Sequence, residues 1–104
     1  MGEDFERVAN VGDLDQKSMK QVTVGGKPVL LAKIGGQFYA IGNVCSHVGG
    51  PLSDGNLEGT IVTCPWHGSR FDVRSGQVVG PPARTPQPAY EVKVEGSSVL
   101  VKKR

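Results

Sequence analysis

The sequence predicts an all-β fold, on two observations. Glycine and proline together supply 22 of 104 residues (15 Gly, 7 Pro), a density that implies many turns. Short runs of β-branched and aromatic residues are separated by regular turn signals, which is the pattern of a sandwich or barrel. At this length the chain is expected to be a single domain, residues 1–104, with a modest core from a hydrophobic fraction of 38%.

Taken in order, Phe5 to Val11 alternates loosely and reads as a first strand. A turn follows at Gly12-Asp13-Leu14-Asp15, where Asp13 or Asp15 is a candidate cap. Lys20 to Val24, Lys27 to Ile34 and Gln37 to Ile41 read as a meander, because Gly25-Gly26 and Gly35-Gly36 are hairpin signals. Pro28 suits an edge strand or a strand's first residues. Phe38 and Tyr39 are read as core residues. Leu52 to Gly55 and Asn56 to Gly59 read as turns, and Thr60 to Thr63 as a short strand. Ser69 to Val73 and Gln77 to Val79 are strands around a turn at Arg74-Ser75-Gly76. Arg84 to Pro88 reads as extended linker. Ala89 to Val94 and Ser97 to Val101 form a final hairpin.

The chemistry is concentrated in one window. The only two cysteines and the only two histidines fall as Cys45-x-His47, sixteen residues, then Cys64-x-x-His67. Glycines beside them (Gly49, Gly50, Gly68) allow a tight backbone path. Three readings are open. A Cys45–Cys64 disulfide is sterically possible, but it does not require a histidine beside each cysteine. Zinc accepts two Cys and two His, although common zinc spacings put like ligands on the same knuckle. A 2Fe–2S cluster with two Cys on one iron and two His on the other fits the mixed pairs best.

The string C-x-H, sixteen residues, C-P-W-H-G-S-x-F-D resembles the Rieske ferredoxin family over most of the chain. The resemblance implies one Rieske-type 2Fe–2S cluster, with Cys45 and Cys64 on the inner iron and His47 and His67 on the outer one. Two ferric irons, two sulfides and two thiolates sum to zero charge, against −2 for an all-cysteine cluster. The potential is therefore higher, roughly −150 to +300 mV against about −400 mV for plant-type ferredoxins. Ser69 matches a position whose hydroxyl donates to a bridging sulfide. Phe71 stands where high-potential members carry a donating tyrosine. Gly50 and Trp66 stand where those members carry an inter-loop disulfide. The lower part of the Rieske range is expected. Gly80-Pro81-Pro82 matches the family's proline loop over the cluster, and Leu52 is a candidate shield against water. Trp66 has two readings, packing beneath its loop or contacting a partner.

The resemblance also implies a Rieske-like antiparallel β-sandwich or barrel base domain, residues 1–42 and 83–104. A cluster-binding subdomain is inserted at about 43–82. The expected function is one-electron transfer without catalysis. One setting is a shuttle from a flavin reductase to an oxygenase. The other is the small subunit of a reductase such as nitrite reductase, and a zinc-stabilised interaction module is the non-redox alternative. Arg70, Arg74 and Arg84 are either solvated or docking residues. A net charge of +2 is too small and scattered for nucleic acid, and Lys102-Lys103-Arg104 reads as a solubilising terminus. No apolar run reaches about 18 residues, so no membrane span is expected. Two cysteines without a signal peptide point to the cytoplasm.

Overall fold

Two glycine pairs set the central sheet. Gly25 and Gly26 have φ of 57° and 82°, and Gly35 and Gly36 have 60° and 82°. Positive φ at both central residues twists a two-residue hairpin in the same sense as its strands. The hairpins join β2 (Ser18–Val24), β3 (Lys27–Ile34) and β4 (Gln37–Gly42), with Val24 opposite Lys27 and Ile34 opposite Gln37. This computed structural model describes residues 5–14, 18–44, 51–66, 68–81 and 85–102. Asp15, Pro82 and the end of the basic tail, Lys103-Arg104, lie outside them.

Among the described residues there are three antiparallel sheets and no α-helix. The central one has the order β2-β3-β4-β9, where β9 is Ala89–Tyr90. A second is formed by β1 (Phe5–Asn10), β11 (Ser98–Lys102) and β10 (Val92–Glu95), in that order. The third is a meander of β5 (Asn56–Glu58), β6 (Ile61–Thr63), β7 (Arg70–Asp72) and β8 (Val78–Gly80).

The run Val29-Leu30-Leu31-Ala32 in β3 is buried throughout because the central sheet is covered on both faces. Val29 and Leu31 join Ala9, Val22, Val24, Ala40, Tyr90, Val99 and Val101 in one core. Leu30 and Ala32 join Ile41, Leu52, Val62, Cys64, Phe71 and Val73 in the other. Phe38 packs against the first core and Tyr39 against the second, so both aromatics serve packing.

The structure differs from the sequence reading at several points. Asn56–Glu58 is a strand rather than a turn; it pairs only with β6, as the edge of its sheet. Pro28, by contrast, sits where it was expected, as the second residue of its strand, although that strand is a central one. The first strand ends at Asn10, and a 3-10 turn spans Val11–Asp13. There the Asn10 N–H donates to Asp13 Oδ2 at 2.9 Å, so Asp13 does close the turn. The strand read from Ala89 to Val94 is two pieces. Tyr90 pairs with Ala40 in the central sheet, whereas Val92 pairs with Val101 in the second.

Candidate metal centre

The second candidate loop grows from a hairpin. Thr63 in β6 pairs with Arg70 in β7, and the six residues Cys64 to Ser69 join them. Two backbone bonds close the loop: Cys64 N–H donates to Ser69 O at 2.7 Å, and Gly68 N–H donates to Cys64 O at 3.1 Å. Gly68 sits at φ 79°, a conformation that glycine adopts without a Cβ penalty. Cys64 is buried, in the same apolar cluster as Leu52, Val62 and Phe71. Ser69 is fully buried one step from the strand.

The first candidate loop has a pinned neck. Val44 bridges Pro51, and Leu52 N–H donates to Asn43 O at 2.8 Å. The Asn43 side chain is buried between both limbs. Its Oδ1 accepts from Ser53 N–H at 2.8 Å, and its Nδ2 donates to Gln21 Oε1 at 3.1 Å. On the other side, Gln87 Nε2 donates to Gly42 O and Val44 O, both at 2.7 Å.

The limb leaving this neck runs against the limb entering the other loop. Gly55 N–H donates to Leu52 O, and a Cβ built at Gly55 would fall 1.9 Å from Thr63 O. Only glycine permits that approach. The necks of the two loops are thus fixed side by side.

Cys64 is the one candidate ligand among the described residues; Cys45, His47 and His67 lie outside them, as do Gly49 and Gly50. Within the described residues no group of three or more His, Cys, Asp or Glu is arranged for a metal. The donor chemistry fits a cluster at Cys64, whose buried sulfur lies in apolar surroundings rather than in water. Phe71 is fully buried and offers no hydroxyl, and Trp66 is 59% exposed, which favours the contact reading over packing. Pro81 is exposed directly after the buried Gly80.

The arginines divide. Arg74 is committed to Asp72: Nε donates to Oδ1 at 3.1 Å and Nη2 to Oδ2 at 2.8 Å. The Arg74 backbone N–H also donates to Oδ1, at 2.9 Å. The guanidinium bond holds the Asp72 carboxyl below the ordinary carboxylate range. Arg70 is exposed, with its side chain lying against Gly80, where a Cβ would be 2.8 Å from Nε. Arg84 lies outside the described residues.

Asn43 and Gln87 are the site residues that sequence reasoning missed. In the sequence Asn43 reads only as part of the lead into the first loop, and Gln87 as linker between two prolines. Their partners are 22 and 45 positions away, so no local pattern marks them.

No described helix is long and apolar enough to cross a membrane. The model of the Rieske [2Fe-2S] domain matches residues 4–94. The ferredoxin component of biphenyl 2,3-dioxygenase from Rhodococcus jostii is 38% identical over 95 residues, covering 91% of this chain and 89% of that one. The ferredoxin of carbazole 1,9a-dioxygenase from Nocardioides aromaticivorans superposes with a TM-score of 0.94 at 34% identity, covering 96% and 98%. A second structure, a complex of reduced oxygenase and oxidized ferredoxin in carbazole 1,9a-dioxygenase, matches with a TM-score of 0.89 at 32% identity, covering 94% and 92%. With the two pinned loop necks, the buried Cys64 and these matches together, the chain belongs to the Rieske [2Fe-2S] family.

Proposed function

We propose that this chain is a one-electron carrier between a reductase and a terminal oxygenase, and that Cys45, His47, Cys64 and His67 hold a single Rieske 2Fe–2S cluster. The observation that carries the reading is the mixed Cys/His pair on each of two segments whose necks are fixed side by side. Bound there, the cluster supplies one reversibly exchanged electron at a potential raised by its two neutral imidazole ligands.

The remaining residues have supporting roles. Leu52, Val62 and Phe71 keep water from the Cys64 sulfur. Phe71 brings no hydrogen bond to that sulfur, which supports a potential in the lower part of the Rieske range. Ser69, buried beside Cys64, holds the range above its floor through its hydroxyl. Pro81 opens a third, proline loop that shields the centre. Residues 43–82 act as the cluster-binding part and residues 1–42 and 83–104 as the base. Trp66 and Arg70 are exposed around the loops and face the partner. An oxygenase partner is supported by the ferredoxin–oxygenase complex among the structural relatives. A reducing cytoplasm suits ligands that must be thiolates.

Film voltammetry tests the carrier. The expected result is one reversible one-electron wave that survives repeated cycling and moves to lower potential as alkaline pH deprotonates the oxidised imidazole ligands. An irreversible wave, or none, rules out the carrier; a potential constant through the alkaline range rules out histidine ligation.

A further inference from the structure

The tripeptide Pro86-Gln87-Pro88 is built into the molecule more tightly than a linker needs. Neither proline has an N–H, so the Gln87 N–H is the tripeptide's single backbone donor, and it donates to Gly76 O at 2.8 Å. A Cβ at Gly76 would fall 2.1 Å from Gln87 O. A Cβ at Gly42 would fall 3.0 Å from Pro88 Cγ and 3.4 Å from Gln87 Nε2. Two glycines therefore let backbone close around residue 87, which is 4% exposed.

The Gln87 side chain points at one target. Its Nε2 uses both hydrogens, on Gly42 O and Val44 O, while Asn43 O between them accepts from Leu52 N–H. Three successive carbonyls at the neck of the first candidate loop are thus occupied, two of them by one atom of Gln87. A primary amide is the neutral group that puts two N–H donors on one nitrogen. Glutamate of the same length would face both carbonyls with acceptors, and a lysine would bury an uncompensated charge.

We propose that Gln87 is a positioning residue for the electron-transfer centre. Its carboxamide couples the neck of the first ligand loop, Gly42 to Val44, to residues 86–88 and, through the Gln87 N–H, to the turn at Gly76, so these segments keep one relative position. The inference rests on the carrier reading above. It adds that the centre's potential and retention are set in part by a residue outside the 43–82 segment.

The test uses the whole cluster-loaded protein and three variants. Gln87→Met keeps the side chain's length without its donors, and Gln87→Asn keeps the amide but shortens the reach. Val99→Ala opens a cavity in the core of the other sheet, as a control for lost stability alone. Iron release to a chelator, midpoint potential and the EPR line shape are read together with the denaturation midpoint. Losing donors to the buried Gly42 carbonyl and the part-buried Val44 carbonyl is expected to speed iron release from Gln87→Met by about tenfold, with a shifted potential and a broadened signal. Val99→Ala should unfold more easily but keep the wild-type potential and line shape. If Gln87→Met fails to fold, Gln87→Asn carries the test, with about threefold faster release expected from partly retained bonds. A loaded Gln87 variant with the wild-type potential and no faster release than Val99→Ala overturns the positioning role alone. A wild-type chain that binds no iron overturns the carrier reading, and this inference with it.

Discussion

An imidazole and a thiolate differ by one unit of charge at the iron they bind, and that difference is measurable one residue at a time. On the proposed ligand set, His47→Cys or His67→Cys lowers the potential of an assembled cluster by on the order of 100 mV, a fraction of the gap between Rieske and plant-type centres. Spectroelectrochemical titration checks this; an assembled variant at the wild-type potential removes that histidine from the ligand set. Asp72 gives a second residue-scale prediction. Its carboxyl is held below the ordinary range by Arg74, so the unfolded chain binds the proton more readily than the folded one. The pair's contribution is fully present above the unfolded carboxylate pKa and is lost as pH falls through the lower folded value. Acid unfolding of Asp72→Asn should therefore lack part of the steepness seen in the wild type below about pH 4. Curves of equal steepness would show that Asp72 does not drive the acid limb.

Among the elements, the neck of the first candidate loop is held by two buried amides, Asn43 and Gln87. Asn43→Leu strands Ser53 N–H, while the exposed Gln21 side chain can turn to water, and should cost about 1–3 kcal/mol in urea denaturation. A loss below about 1 kcal/mol would mean that water replaces the clamp. The elements legible in the sequence were those with local signals. Lys27–Ile34 was readable to the residue because glycine pairs bound it and its apolar run is unbroken. Asn56–Glu58 was not, because its one apolar residue, Leu57, shows no alternation and its flanking glycines mimic a turn. The break at Glu91 was invisible because period-two alternation assigns a face but does not say which sheet a strand joins. The candidate ligand window stands out in the sequence because its chemistry lies within 23 residues, Cys45 to His67. Its supports, Asn43 and Gln87, were not, because tertiary hydrogen bonds leave no periodic trace.

The whole molecule is organised around a sheet shared by two cores, one structural and one beneath the candidate centre. β3 carries adjacent leucines into different cores: Leu31 faces Val99 and Val101's cluster, and Leu30 faces that of Cys64 and Phe71. Leu31→Ala and Leu30→Ala should each cost about 2–5 kcal/mol of stability. Only Leu30→Ala should also alter the centre's visible spectrum, because only its cavity opens beneath Cys64. Equal spectral changes from both would show that the two cores are not mechanically separate.

The central claim, an electron carrier built on a Rieske cluster, is tested most directly by low-temperature EPR of the dithionite-reduced protein, with iron and zinc counted on the same sample. The expected result is a rhombic signal whose average g lies below that of all-cysteine clusters, two irons per chain and no stoichiometric zinc. An EPR-silent protein holding one zinc per chain would contradict it and leave the two loops as a structural knuckle.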